Sequence, residues 1–221
     1  MLFHRYKQEI SCMLKLINCV IRICCIHPFY SLATMTTVLH AKCFLLGSSA
    51  IGKTSLCQTF HNDGTNLSKN YNMTTNVDIV VKSVRVPGTR YSVEFIMFDT
   101  PSKDCYSEFV QNFYSNASLV IALYDITDTK SFEECNNYLE QILKKNPKGS
   151  VICFVVGNKT DLEEQRKISK EEGEGLARKY EAEFCECSVK DMVNIDNPFQ
   201  HLALSFTKKY EASLEHFSSL T

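Results

Sequence analysis

The stretch Gly47-Ser48-Ser49-Ala50-Ile51-Gly52-Lys53-Thr54 decides the fold, because it matches the phosphate-loop pattern G-x-x-x-x-G-K-[ST]. An apolar run at residues 41–46 precedes it, as a buried strand would, and residues 53–61 predict a helix. Glycines let the backbone point successive N–H groups into one concavity, and the helix N-terminus behind it favours negative charge. This stretch therefore predicts a binding site for a polyphosphate.

The residues of this loop have separate predicted roles. Lys53 supplies a positive charge to the β and γ phosphates, and the Thr54 hydroxyl is a predicted Mg²⁺ ligand. An unrelated glycine turn with a lysine after it is the alternative, which the flanking strand and helix disfavour. The predicted nucleotide contacts of the loop are Gly47, Ser49, Ala50, Ile51, Gly52, Lys53, Thr54 and Ser55.

A second motif, Asn158-Lys159-Thr160-Asp161, predicts which base is bound. It follows the apolar run of residues 151–156, and α/β sheets bind ligands at the C-terminal ends of their strands. The Asp161 carboxylate can accept hydrogen bonds from N1–H and the exocyclic amine of guanine, a donor pair that adenine lacks. Farther on, the backbone of Ser188-Val189-Lys190 can meet the guanine carbonyl. An ordinary loop after a strand is the alternative interpretation of residues 158–161.

The rest of the chain predicts an α/β fold with helices on both faces of a mostly parallel sheet. Residues 77–86 and 91–98 flank the turn Pro87-Gly88-Thr89 and predict a hairpin. The apolar runs at residues 119–124 and 151–156 predict central parallel strands.

Three local patterns predict where helices begin. Ser131 with Glu134 and Ser169 with Glu172 have the spacing of a capping box, and Asn197 precedes Pro198 as a cap would. We expect the last helix to cover residues 198–210. One domain is predicted over residues 37–212, with a short polar tail at residues 213–221.

Residues 1–34 differ from the rest and are predicted to be an N-terminal extension outside the native fold. Within the mostly apolar run of residues 10–26, Lys15, Asn18 and Arg22 would share one narrow stripe of a helix. A membrane-surface helix or a weak signal sequence is the alternative. A dispensable extension, or upstream sequence before a start at Met35, is favoured because the run is too short and polar to span a bilayer.

Charge and cysteine content argue against nucleic-acid binding and against a disulfide-stabilised fold. The net charge of −1 gives no cationic field to hold nucleic acid. The 11 cysteines form no C-x-x-C pair, which suits a reducing compartment better than a disulfide framework. Cys185 and Cys187 should face the same side of a strand, and two buried thiols are favoured over half of a metal site.

These motifs, in this order, resemble the Ras-like small GTPases over about residues 41–210. The resemblance implies a P-loop NTPase with a Ras-like six-stranded sheet, which binds GTP or GDP with Mg²⁺. It also implies that Asn158 holds the purine N7 and that the Lys159 stem packs on the base. Thr74 would bind Mg²⁺, and Asp99 would hold it through water.

Shorter strings resemble a Rab-like branch whose members are subunits of the intraflagellar transport B complex. The strings are Asp78-Ile79-Val80-Val81-Lys82, residues 158–162, and Ser188-Val189-Lys190 followed by Pro198-Phe199. The resemblance implies a heterodimer with a small β-sandwich subunit, contacts with other complex B subunits, and a place in the cytoplasm and cilium, including flagellum and basal body. A cycling Rab-type switch of vesicle traffic is one alternative. A P-loop kinase is another, which residues 158–161 disfavour.

The second switch departs from the family pattern of Asp, any two residues, Gly and a catalytic Gln. Here the sequence is Asp99-Thr100-Pro101-Ser102-Lys103. Ser102 replaces the glycine whose N–H would meet the γ-phosphate, and Lys103 replaces the glutamine that orients water. Lysine has no acceptor atom, so we expect slow or absent intrinsic hydrolysis and assign no catalytic residue. Alternatively, Lys103 contacts the γ-phosphate and helps to hold GTP.

The sequence also carries no pattern for a direct lipid anchor. No cysteine follows Cys187, and neither Leu2 nor Thr36 supplies the glycine that myristoylation needs after Met1 or Met35. We therefore expect partners to carry the protein to membranes, which favours a complex subunit over a vesicle-targeting switch.

Overall fold

The structure, a computed structural model of the chain, describes residues 36–64, 77–100, 114 and 116–219. These residues belong to the unit Thr36–Thr221. The predicted extension at residues 1–34 lies outside the described residues, as do Thr74, Ser102 and Lys103. The domain boundaries and the roles given to those three residues therefore stay predictions.

One sheet organises the described residues, with the spatial order β2-β3-β1-β4-β5-β6. The pair β2 and β3 is antiparallel, and the other neighbouring strands are parallel. The predicted hairpin and the predicted six-stranded, mostly parallel sheet are therefore confirmed. The strands are β1 (Thr37–Leu46), β2 (Asp78–Arg85), β3 (Tyr91–Asp99), β4 (Leu119–Asp125), β5 (Ile152–Asn158) and β6 (Glu183–Glu186).

Helices cover both faces of this sheet, as the sequence predicted. The described helices are α1 (Lys53–His61), α2 (Thr129–Lys145), α3 (Lys170–Lys179) and α4 (Asn197–Ser218). Helices α1 and α4 pack into one buried cluster, and α2 and α3 pack into another. Strand β1 supplies alternate residues to the two clusters, so the clusters lie on opposite faces of the sheet.

Aromatic side chains hold α1 and α4 together on their shared face. The Phe60 and Phe199 rings are stacked with centroids 3.6 Å apart, and Phe95 meets both rings edge-on. Such pairs contribute about 0.5–1.5 kcal/mol beyond the area that they bury. Phe95, Phe98, Phe154 and Phe199 are all buried in the core.

One of the three predicted helix starts is wrong. Helix α2 begins at Thr129, and the Asp128 side chain caps it by accepting from the Lys130 N–H at 3.0 Å. The predicted Ser131 capping box is wrong because an earlier residue already satisfies the helix end. The Ser131 hydroxyl is buried instead and accepts from the Asp125 N–H at 3.0 Å.

The other two helix starts are close to prediction. The capping box of Ser169 and Glu172 is confirmed by reciprocal hydrogen bonds of 3.2 and 2.7 Å. Helix α4 has Asp196 at its N-cap, so Asn197 is its first residue rather than its cap.

The end of α4 lies beyond the position predicted for it. The helix continues past Tyr210 to Ser218, into the segment that the sequence predicted to be a tail. No glycine or proline interrupts residues 211–218, so the helix can continue through them.

No helix in the part of the chain that the structure describes has the length and apolar character needed to cross a bilayer.

Candidate functional site

Five strand ends meet at one edge of the sheet and carry the polar groups of the candidate site. Strand β1 ends one residue before Gly47, and β6 ends two residues before Ser188. Asp99, Asp125 and Asn158 are the last residues of β3, β4 and β5. This C-terminal edge is where α/β sheets bind their ligands.

The phosphate loop depends on two glycines. Gly47 and Gly52 have φ of 139° and 100°, which side chains rarely adopt. A Cβ on Gly47 would lie 2.4 Å from the Leu123 carbonyl oxygen, and one on Gly52 would lie 2.4 Å from Asn158 Nδ2. The backbone is therefore packed against β4 and β5 so closely that only glycine fits, as a loop whose amides cradle phosphate requires.

Lys53 places a buried cation inside this loop. Its Nζ donates to the carbonyl oxygens of Gly47 and Ser48 at 2.8 and 2.7 Å, and the residue is only 6% exposed. Burial lowers the pKa of Lys53 to about 8, although the carboxylates of Asp99 and Glu134 oppose this shift. A phosphate anion beside Lys53 would favour its charged form, so the residue suits the role that the sequence predicted.

The two predicted Mg²⁺-site residues Thr54 and Asp99 lie in direct contact. The Thr54 hydroxyl donates to Asp99 Oδ2 at 2.5 Å, which joins the first turn of α1 to the end of β3. Among the described residues, no group of three or more His, Cys, Asp or Glu could hold a metal by itself. Mg²⁺ commonly binds through one or two protein oxygens together with substrate phosphates, so this pair fits the predicted ion. Thr74 lies outside the described residues.

The other predicted phosphate-loop residues differ in exposure. Ser49, Ala50 and Ser55 are exposed, whereas the Ile51 side chain is buried beneath the loop. Ala50 has a φ of 62°, so the loop also holds a non-glycine residue in the left-handed region. The three exposed residues can meet a nucleotide through backbone or side chain, and the contact predicted for the buried Ile51 stays a prediction.

Asn158 links the phosphate loop to the guanine loops. Its Nδ2 donates to the Ile51 carbonyl at 2.7 Å, and its Oδ1 accepts from the Val189 N–H at 3.3 Å. The residue is only 2% exposed, so these bonds are shielded from water. The structure thus brings three separated motifs together through one side chain. The contact of Asn158 with a purine N7 stays a prediction.

Asp161 lies beside the residues that were predicted to complete the base site. Its Oδ1 accepts from the Ser188 hydroxyl at 2.8 Å, and its Oδ2 lies 3.3 Å from Lys190 Nζ. Burial opposes ionisation of Asp161, but the hydrogen bonds from Ser188 and Lys190 outweigh it and lower its pKa. Asp161 is therefore a carboxylate at neutral pH, which is the form that accepts two hydrogen bonds.

Asp125 is a site residue that the sequence analysis missed. Its Oδ2 lies 2.6 Å from Lys159 Nζ, and its Oδ1 accepts from the N–H and hydroxyl of Thr127. Burial raises the pKa of Asp125, but Lys159 and Thr127 outweigh it and the pKa is lowered. Its place directly after the apolar run of residues 119–124 was the signal that could have identified it. Asp125 therefore orients the Lys159 stem that was predicted to pack on the base.

Cys185 and Cys187 lie two residues apart, and the Cys187 thiol donates to Asn158 Oδ1 at 3.4 Å. Cys187 is buried and Cys185 is half-buried, and both are free thiols. Burial raises the pKa of Cys185 to about 12, which keeps it protonated and unreactive at neutral pH. This agrees with the interpretation of the pair as buried thiols.

Replacing Gly52 by Ala tests whether the contact with Asn158 holds the site together. Both Gly52→Ala and the control Gly88→Ala place a side chain at positive φ, but only Gly52 has an atom of another residue within 4 Å of the added Cβ. We expect Gly52→Ala to lower affinity for guanosine diphosphate by about ten- to hundredfold, as one lost buried hydrogen bond would. Calorimetry should find affinity nearly unchanged in Gly88→Ala. Equal affinity of the two variants would contradict this account.

Comparison with known proteins agrees with the geometry. A model of the Ras family matches residues 42–208. The chain is 39% identical over 182 residues to "Intraflagellar transport protein 27 homolog" of Bos taurus, which covers 82% of this chain and 98% of that protein. The Homo sapiens protein of the same name gives the same identity and coverage. "Ras-related protein Rab-13" of Rattus norvegicus is 36% identical over 162 residues, 73% of this chain and 77% of that protein. The chain therefore belongs to the Ras family.

Proposed function

We propose that the chain is a GTP-binding, Rab-like subunit of the intraflagellar transport B complex that supports cargo transport in cilia. The observation that carries the nucleotide part is the ionised Asp161 held beside Ser188, at the same sheet edge as Lys53. The 39% identity to intraflagellar transport protein 27 homologues, over 98% of their length, supports the complex. The cytoplasm and the cilium, with its basal body, are the proposed locations.

The residues of the site divide the binding of GTP or GDP between them. GTP carries a terminal phosphate that GDP lacks, and this difference would distinguish a GTP-bound from a GDP-bound state of the protein. Lys53 and the loop amides would hold the phosphates, and Thr54, Thr74 and Asp99 would hold Mg²⁺. Asp161 would accept hydrogen bonds from N1–H and the exocyclic amine of guanine. Its contacts with Ser188 and Lys190 fix the orientation of the carboxylate, which lowers the cost of binding the base.

Hydrolysis by this protein is proposed to be slow or absent without a partner. Lys103 stands where the family has a water-orienting glutamine. A lysine can donate to a phosphate oxygen but cannot accept a hydrogen bond from water. The proposed role of GTP is therefore to stabilise a docking surface, for the β-sandwich subunit and other complex B subunits, rather than to be turned over rapidly.

Replacing Lys103 by Gln tests this proposal. Single-turnover hydrolysis should be barely measurable in the wild-type protein and faster in Lys103→Gln by on the order of tenfold, because an acceptor for water is restored. Lys103→Ala serves as the control, because it removes the lysine without adding an acceptor. Rapid wild-type turnover without any partner would overturn the proposal. Weaker binding of GTP, but not of GDP, by Lys103→Ala would show instead that Lys103 grips the γ-phosphate.

The second candidate is a cycling Rab-type switch in vesicle traffic, which the 36% identity to Rab-13 favours. Purification of the native protein from ciliated cells separates the two candidates. We expect GTP to remain bound and a small β-sandwich protein to co-purify in a stable complex. Recovery with GDP and a membrane-extraction factor would support the vesicle switch and contradict the ciliary proposal.

A further inference from the structure

The Arg166 side chain joins the two loops that carry Asp161 and Ser188. Each of its five N–H hydrogens has an acceptor within 3.0 Å, which uses the full donor capacity of the guanidinium group. Two bonds reach the Glu163 carboxylate at 2.7 Å each, and two reach the Glu186 carboxylate at 2.6 and 3.0 Å. The fifth reaches the Ile168 carbonyl at 2.9 Å.

Each of the two carboxylates lies two residues along the chain from a residue of the proposed base site. Glu163 lies two residues after Asp161, in the short 3₁₀ helix Thr160–Gln165. Glu186 ends β6, two residues before Ser188. One planar group therefore spans both loops with a two-pronged bond to each, a geometry that is specific in distance and in orientation.

The ion pair of Arg166 with Glu186 is stronger than its ion pair with Glu163. The Arg166 and Glu186 side chains are only 19% and 16% exposed, whereas Glu163 is 65% exposed. Exposed ion pairs contribute little because water and salt screen them, and a shielded two-pronged pair is screened less. The position of Ser188 relative to Arg166 is therefore held more firmly than the position of Glu163.

The backbone beside Arg166 is itself fixed to the site. The N–H groups of Lys167 and Ile168 both donate to the Ile126 carbonyl, at 2.9 and 3.0 Å. The Ile126 N–H in turn donates to the Asn158 carbonyl at 3.1 Å. Arg166 therefore extends from an anchored segment, so its bonds can set where the two loops lie.

We propose that Arg166 is a positioning residue that sets the distance between Asp161 and Ser188, and that the site needs it to distinguish guanine from purines without an exocyclic amine. The inference rests on the proposed guanine binding. A carboxylate accepts N1–H and the amine together only when both of its oxygens are aligned. Hypoxanthine keeps N1–H and lacks the amine, so a displaced Asp161 loses most of its preference for guanine over hypoxanthine.

The variant Arg166→Lys separates geometry from charge. Lysine keeps the positive charge but cannot form two forks and a fifth bond. The control is Arg178→Lys, since Arg178 forms an exposed ion pair with Glu174 at 3.5 Å on α3, away from both loops. Calorimetry with Mg²⁺ would measure GDP and inosine diphosphate binding to each full-length protein. We expect the ratio of the two affinities to fall about tenfold in Arg166→Lys, as weakening one hydrogen bond would, and to be unchanged in Arg178→Lys.

The outcomes distinguish this inference from the proposed function. Wild-type protein that bound neither diphosphate would overturn both. A wild-type preference for GDP with the same ratio in Arg166→Lys, even at lower affinity for both ligands, would overturn the positioning role alone. If Arg166→Lys fails to fold, Glu186→Gln and Glu163→Gln each weaken one of the two ion pairs of Arg166. The affinity ratio should then fall more in Glu186→Gln, and the reverse order would contradict the proposal.

Discussion

The hydrogen bonds of Asn158 are the constraint on which the rest of the site depends. This buried amide joins the phosphate loop at Ile51 to the Ser188 loop at Val189, so that the phosphate and base sites are parts of one structure. Gly52 approaches this amide so closely that an added Cβ would lie 2.4 Å from Asn158 Nδ2. The proposed phosphate and base sites are therefore joined directly by hydrogen bonds at the C-terminal edge of the sheet.

The charged side chains of the site are held by ion pairs or hydrogen bonds to other residues of the chain. Lys159 is paired with Asp125, Asp161 with Ser188 and Lys190, and Lys53 is held by loop carbonyls. Side chains that are already oriented lose less conformational freedom on binding, which favours tight binding of a nucleotide. Such a site suits a protein whose nucleotide stabilises an assembly, as proposed for a subunit of a transport complex.

The sequence predicted those features that are encoded locally. The phosphate loop and the strands around it were found because glycine spacing and apolar runs depend on neighbouring residues alone. Asp125 and Arg166 were missed because their importance comes from contacts with residues far along the chain. The Ser131 capping box was wrong for a related reason, since spacing alone cannot show that Asp128 already caps the helix. Strand β2 has apolar residues at both parities, and only the structure shows that Val81 is 47% exposed.

The central claim is that the carboxylate of Asp161 selects guanine in a site that also grips the phosphates. Calorimetry of the wild-type protein with Mg²⁺ and either GDP or ADP tests it most directly. We predict that GDP binds at least about a hundredfold more tightly, because ADP would leave a buried acceptor without its donors. Equal affinities for the two nucleotides would contradict the account.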